Sequence, residues 1–442
     1  MATAGAAAQK GESAMRMRHL GLMSLAAMAA GFAPLLARAG EGLAPTETVR
    51  ILDAKAAGDL AVTVRGAGED RVKFTLENKT TKRLNVVIPP GLVAASATGQ
   101  GFQSMGLGRP NGTPGAFGEF QGGATGNAGF RSVPAIAPDA EGVAISPGQT
   151  LEFHVPSVCL NFGVATPTSK NVFNLVDVDD YAKDVRVRKA LKSLATLGTS
   201  QPVAQAVMWS VCNGLTFEQL ATQKNAPINT FELAQAARFL EALDASSGDL
   251  VESVYVQQSR IVVHVEGADA LSGDAVRLAR DLEDAKLLGL PVRVVDDLKD
   301  LPARPGTVAL HVALVGSRAG STTIRVAVRS APAFGEWKPV GEFDTRIDSS
   351  VNELKGNTLA ANLDRAIARN FVTVTVAKRT TATTMFKVTN RLPMTLTGVT
   401  VRAGKAGDLV TVDAQGISPM RSVLVPVPAA TAVVDHIEVN GL

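Results

Sequence analysis

The chain has 442 residues, 46% hydrophobic and 19% charged, which gives room for two to four domains and excludes a disordered polypeptide. Its formal charge is +3. That excess sits in residues 1–39, where Lys10, Arg16, Arg18 and Arg38 face only Glu12, so the remainder is formally neutral and gives no electrostatic ground for a nucleic acid or an anionic membrane as partner.

Residues 15–39, MRMRHLGLMSLAAMAAGFAPLLARA, have the order of a secretory signal peptide. Arg16, Arg18 and His19 form a basic start, Leu20 to Leu36 an apolar stretch, and Ala37-Arg38-Ala39 a small-x-small cleavage pattern. Gly31 and Pro34 interrupt the apolar stretch, which favours a cleaved leader over an anchor. Residues 1–14 look foreign to this leader, and a start at Met15 or Met17 is expected. The expected location is outside the cytoplasm: secreted, periplasmic or at the cell surface, with no integral membrane segment after the leader is removed.

Residues 40–158 read as strands. RVKFTLEN (71–78) alternates apolar and polar residues, and LNVVIPPG (84–91) follows a KTTKR turn. A Gly-rich tract from 99 to 129 predicts a surface loop. VAISPGQTLEFHVPSV resumes the strands, and an immunoglobulin-like β-sandwich is expected.

The period changes over 159–249. Asp184 precedes a helix with Val187, Ala190, Leu191, Leu194 and Leu197 on one face. PVAQAVMWSVCNGL (202–215) is a second helix, closed by Asn213-Gly214. Thr216/Gln219 and Asn229/Glu232 have capping-box spacing before two more, the last with a core stripe of Leu233, Ala236, Ala237, Leu240 and Leu243. Residues 250–371 mix strands (VESVYV, RIVVHVEG, PVRVV, TVALHVALVG, TTIRVAVRS) with helices SGDAVRLARDLEDAKLLG, capped by Ser272, and TLAANLDRAIARN, an α+β module.

Residues 372–442 return to strands and echo the first module. FKVTN (386–390) matches FTLEN (74–78) in character, and ISPMRSVLVPVP (417–428) aligns with ISPGQTLEFHVP (145–156). The expected fold is therefore multidomain and mainly β with α: two Ig-like sandwiches bracketing a small helical unit and an α+β module.

No catalytic residues emerge. Outside the leader the histidines are His154, His264, His311 and His436, none in a GxSxG or HExxH setting. His154, His264 and His311 lie in alternating runs and read as ordinary sheet residues, with a shared His264/His311 site on adjacent strands as the alternative. The Gly-rich tract lacks a phosphate-loop pattern. Asp177, Asp179 and Asp180 lack the glycine and glutamate of a calcium loop, and Asp296 and Asp297 read as a solvated loop. Phe334 and Trp337 are expected to pin a turn to the α+β core. No metal set and no cofactor are expected.

One stretch carries more. After a strand come Cys159-Leu160, a proline, short helices, and then Gln205, Ala206 and Trp209 on a helix. Residues 155–222 thereby resemble the thioester domains of bacterial surface adhesins, in which a cysteine and the glutamine of a Thr-Gln-x-Ala-Ile-Trp helix form an internal thioester. The resemblance implies a Cys159–Gln205 bond able to capture amines on a host surface, with Trp209 as packing neighbour. Gln205, Trp209 and Cys212 lie at i, i+4 and i+7 on one helical face, so Cys159 has two candidate partners there. Two cysteines in an exported chain most often pair, and a Cys159–Cys212 disulfide across about 50 residues, contributing about 2–4 kcal/mol, is the expectation. Two free thiols and the thioester remain the alternatives. The functional expectation is an exported, non-catalytic structural or interaction protein for an unknown protein or surface ligand. A thioester adhesin is the alternative, and a secreted hydrolase or glycan-binding enzyme a third class.

Overall fold

In β3 (Arg71–Asn78) every second residue is buried: Val72, Phe74, Leu76 and Asn78. Such a strand turns one face to a core. Its partners are β2 (Leu60–Gly66) and β8 (Thr150–Cys159), with Phe74 directly opposite Phe153 and stacked on it at 5.6 Å. The computed structural model describes residues 46–96, 103–107, 142–197, 199–223, 228–248, 251–259, 261–381, 383–397, 399–403, 410–414, 416–428 and 434–438. The expected leader (1–39) lies outside them.

The expected two-sheet sandwich is replaced by a barrel. With β5 (Leu92–Ser96), β6 (Met105–Leu107) and β9 (Val172–Asp177), these strands close in the order β2-β3-β8-β6-β5-β9. The closing strand is β9, which pairs with both β2 and β5 and lies beyond the expected boundary at 158. Closure removes the open edges that separate sheets would leave. β6 falls inside the Gly-rich tract, so part of that tract is a wall strand rather than a loop. A Cβ at Gly106 would sit 2.6 Å from Leu191 Cδ1, so a larger residue there needs that buried leucine to shift. A side sheet of β1 (Thr46–Arg50), β4 (Arg83–Val87) and β7 (Val143–Ile145) adjoins the barrel, with α1 (Ile51–Ala57) leading into β2.

Asp177 caps the short α2 (Val178–Tyr181) by accepting from Asp179 N–H, which is the role of the VDVDDY carboxylate. The helical unit follows its sequence signals closely. α3 (Val185–Leu197) buries Val187, Ala190, Leu191, Leu194 and Leu197. α4 (Gln201–Asn213) ends at Gly214, whose φ of 67° is left-handed. α5 (Phe217–Ala221) and α6 (Thr230–Ala245) both carry complete capping boxes. VESVYV, expected as a strand, is instead helix α7 (Glu252–Gln258). Val251 and Tyr255 are buried one turn apart, and Tyr255 packs on Phe239 of α6. Helical spacing of the two anchors overrides the β-branched composition. Barrel and helices share one core.

A second core belongs to a six-stranded sheet. Its order is β11 (Lys286–Leu287), β12 (Leu290–Val294), β10 (Ile261–Gly267), β13 (Val308–Arg318), β14 (Ser321–Ser330) and β15 (Lys338–Ile347). β10 runs parallel to β12 and β13, and the rest is antiparallel. Odd residues of β10 and even residues of β13 pack on α8 (Ser272–Leu282) and α9 (Gly356–Phe371). α8 is shorter than expected, because residues 286–294 turn back as the β11–β12 hairpin. Ser272 sits inside its first turn, donating to the Asp269 carbonyl rather than capping the helix.

β16 (Val372–Arg379), β17 (Thr383–Asn390) and β20 (Ser422–Pro428) form a three-stranded sheet, and β18 (Val399–Ala403), β19 (Val410–Ala414) and β21 (Val434–Glu438) another. The first reproduces β2-β3-β8. Leu60 pairs with Asn78 and Val372 with Asn390. Leu84 pairs with Ile145 and Leu396 with Ile417. The internal echo is thus a repeated strand arrangement, enclosed in a barrel at one end and in an open sheet, among the described residues, at the other.

Candidate functional site

Cys159 is the last residue of β8. On one side it pairs with Met105 of β6. On the other, β3 has run out, because its last partner is Arg71 opposite Pro156. An unpaired buried N–H and C=O would each be costly there. Gln205 of α4 supplies the missing partner. Its Oε1 accepts from Cys159 N–H at 2.8 Å and its Nε2 donates to Cys159 C=O at 2.8 Å. The carboxamide therefore extends the ladder by one residue and clasps α4 to the barrel. This explains a buried Gln on an otherwise apolar helix.

Cys159 and Cys212 are free thiols, which corrects the expected disulfide. Cys212 shares a face of α4 with Gln205 only in projection. Seven residues carry Cys212 about 10 Å further along the α4 axis than Gln205, away from the point at which α4 is docked on Cys159. The Cys159 thiol instead donates to the Glu69 carbonyl at 3.5 Å. Burial pushes it up to about 12, and the Glu69 and Asp70 carboxylates add to that. Burial also raises Cys212 to about 11, with Asp184 contributing. Both are protonated and weakly nucleophilic at neutral pH.

Cys159, Gln205 and Trp209 line a cavity of about 530 Å³. The Glu69-Asp70 turn and Phe162 form its barrel side; Gln201, Gln223 and Arg421 close it from the other elements. Trp209 meets Phe162 edge to face at 5.1 Å. Phe162 N–H donates to Asn213 at the end of α4, which holds the aromatic wall in place. Asp70 is engaged bidentately by Arg71, and Thr166 donates to Glu69. Arg421 is held by the fully buried Glu232 at 2.6 and 2.8 Å, and that contact holds its pKa above the ordinary value.

Two polar atoms on residues of this wall have no hydrogen-bond partner among the described residues: Trp209 Nε1 and Gln103 Oε1. Gln103 and Trp209 are 6% and 8% exposed. Gln103 is otherwise fixed, its Nε2 donating to the Val164 carbonyl and its backbone N–H to Ala165. One buried acceptor and one buried donor without partners thus belong to residues that line the cavity.

Gln103, Phe162, Glu69 and Arg421 were not singled out from sequence. They come from a Gly-rich tract, a post-strand loop, a turn and the distant repeat, none with a motif. Trp337 donates to the Leu301 carbonyl and so pins its turn, while Phe334 stays at the surface. His264 and His311 face each other on β10 and β13, apart from this cavity. His154 lies on β8 and His436 on β21. No helix among the described residues is long and apolar enough to cross a membrane. The chain matches no protein-family model, and no curated protein matches it in sequence.

Proposed function

We propose that the chain is an exported, non-catalytic binding protein whose ligand enters the cavity between the barrel and α4. The observation that carries this reading is the cavity of about 530 Å³ walled by Trp209 and Phe162, two of whose lining residues, Trp209 and Gln103, each hold a buried polar atom without a partner among the described residues. Buried polar groups are normally paired, and an aromatic wall with a few convergent polar groups is the usual make-up of a ligand pocket. The ligand class this fits is a small polar group that can both accept and donate hydrogen bonds beside an aromatic wall, as on a saccharide or a peptide amide. Export is supported by the leader pattern of residues 15–39. Burial keeps the Cys159 thiol protonated, which argues against that thiol as a nucleophile in this state.

The test is a thermal-shift panel of defined oligosaccharides and short peptides on the mature chain. One class is expected to raise Tm, and the shift is expected to vanish in Gln103→Leu and Trp209→Phe. No shift with any member, or a shift that both variants retain, overturns the reading.

A second reading has its own observation. Cys159 N–H donates to Gln205 Oε1, which polarises the carboxamide carbonyl beside the only buried thiol on this wall. In an internal thioester the Cys159 sulfur would bond the Gln205 carbonyl carbon, and the nitrogen would depart with the thiol proton as ammonia. Intact mass separates the two readings. The binding reading expects the unmodified mass. A mass lower by one ammonia, raised by one whole methylamine on treatment with that amine and absent in Cys159→Ala, would establish the adhesin chemistry instead.

A further inference from the structure

We infer that His264, His311 and Glu266 form a binding site for a borderline divalent transition metal of the zinc class, on the face of the six-stranded sheet away from α8 and α9. The argument begins with register. His264 of β10 and His311 of β13 are direct partners in a parallel pair, so both imidazoles leave the sheet on one face. Glu266 follows two residues after His264 and joins that face. The rings stack with centroids 5.3 Å apart and 20° between planes.

Donor geometry comes next. Glu266 Oε1 lies 3.0 Å from His311 Nε2, and Glu266 Oε2 lies 3.9 Å from His264 Nε2. One ligand atom from each of the three residues falls within 4.8 Å of the others. Donors around a tetrahedral ion with bonds of about 2.0 Å are about 3.3 Å apart, so small side-chain rotations close the set.

A second, independent observation points to a cation. His264 Nδ1 lies 3.1 Å from the Val295 carbonyl. A carbonyl only accepts, so Nδ1 carries the proton, and in the neutral ring Nε2 presents a lone pair. The Glu266 Oε2 is 3.9 Å from that nitrogen, too far for a hydrogen bond. A divalent cation between them would be bound by both the imidazole nitrogen and the carboxylate. The backbone bond to Nδ1 is also the outer-sphere contact that orients metal-binding histidines.

Space and chemistry fit as well. The residue opposite His311 on β14 is Ala327, and the one opposite Glu266 on β13 is Ala313. The side chains of His264, His311 and Glu266 are 19%, 33% and 53% exposed, so the site opens to water on the Glu266 side. Two imidazoles and one carboxylate suit Zn²⁺, Co²⁺ or Ni²⁺, whereas Ca²⁺ and Mg²⁺ take all-oxygen sets. The neighbouring Asp297 carboxylate, near enough to interact with His264, adds negative charge beside the site.

The experiment is calorimetric titration of the chelator-treated mature chain with ZnCl₂, with Co²⁺ absorption as a second readout. One equivalent is expected to bind, with a cobalt spectrum of low coordination number. His264→Ala, His311→Ala and Glu266→Ala should each weaken binding by more than about 100-fold, beyond the 10–100-fold effect of outer-sphere changes. The control is a Cys159→Ser/Cys212→Ser variant, which should bind as the parent does. Folding of each variant is checked by circular dichroism in chelator. For a variant that does not fold, Zn²⁺ protection of His264 and His311 from diethylpyrocarbonate in the parent replaces it. Binding that survives His264→Ala/His311→Ala, binding lost only with the cysteines, or no protection of the two histidines overturns the inference.

Discussion

Asn78 and Asn390 close the same turn twice, 312 positions apart in the chain. Each is fully buried at the end of its strand. Asn78 Nδ2 donates to the Lys82 and Ile145 carbonyls at 2.8 and 3.1 Å. Asn390 Nδ2 donates to the Met394 and Ile417 carbonyls at the same two distances, and also to Ser418. Each Oδ1 accepts the N–H two residues on, of Thr80 and of Leu392. Each backbone N–H donates to the fifth residue of an Ile-Ser-Pro-x-x turn, Gln149 or Arg421. What differs is the outside of the turn. Residues 146–149 are exposed, whereas Ser418 and Pro419 are buried. The second turn docks on α6. Asn229 donates to the Pro419 carbonyl, and Arg421 grips Glu232. The comparison teaches that the asparagine builds the turn, and that the residues at its tip decide whether it is a surface or a joint.

The largest effect should come from undoing the joint. Glu232 is 0% exposed, and Arg421→Met would leave its carboxylate without its cation. Breaking a buried pair from one side destabilises by about 3–5 kcal/mol. The equivalent Gln149→Met should change stability by less than about 0.5 kcal/mol, because Gln149 lies at the surface. Urea midpoints of the two variants test this. The double variant Arg421→Met/Glu232→Gln should recover part of the loss, since no buried charge is then stranded. Similar small losses for Arg421→Met and Gln149→Met would remove the distinction between joint and surface.

Next come the asparagines. Each →Ala change strands buried carbonyls and an N–H, at about 1–3 kcal/mol per unsatisfied group before relaxation. We expect about 3 kcal/mol for Asn390→Ala and somewhat less for Asn78→Ala, whose turn is open to water that can re-satisfy the freed groups. Urea unfolding again reads both. An Asn78 loss well above that of Asn390 would contradict the ordering. Asn→Asp at either position should also destabilise, because the carboxylate cannot donate to the carbonyls that the amide serves.

Much of this was legible beforehand, and the reason is local. Capping boxes at Thr216 and Asn229, the Asn213-Gly214 stop and the alternation of 71–78 are short-range signals. The Ile-Ser-Pro echo showed the repeat. Closure of the barrel was not legible, since it depends on β9 pairing with two strands far apart in sequence. The role of Gln205 was half legible. Its helical face was readable, but not that β3 ends opposite Pro156, three residues before Cys159, and leaves Cys159 needing a carboxamide. The helical face also suggested Cys212 as a partner, because angular projection hides displacement along the axis. The burial of Glu232 and Gln235 on α6 was invisible for the same kind of reason. Their partners, Arg421 and Thr395, come from the C-terminal module.

The smallest effect is the cleanest test of the repeat. Position 148 holds Gly at φ 66°, and its counterpart holds Met420 at φ 57°. Both turns therefore ask for a left-handed residue, and only one has the residue suited to it. A non-glycine side chain in this region costs about 1–2 kcal/mol, while glycine costs about 0.5–1 kcal/mol in unfolded-chain entropy. Met420→Gly should thus stabilise by about 0.5 kcal/mol. Gly148→Met should destabilise by about the same amount or slightly more, for nothing lies within 4 Å of a Cβ added there and the penalty is torsional alone. Met420 is 39% exposed, so little packing is lost with its side chain. Opposite signs in a paired urea comparison are expected. A destabilising Met420→Gly would mean that the methionine contributes contacts on the docked turn that outweigh its backbone strain, and that the two turns are alike in hydrogen bonding but not in what holds their tips.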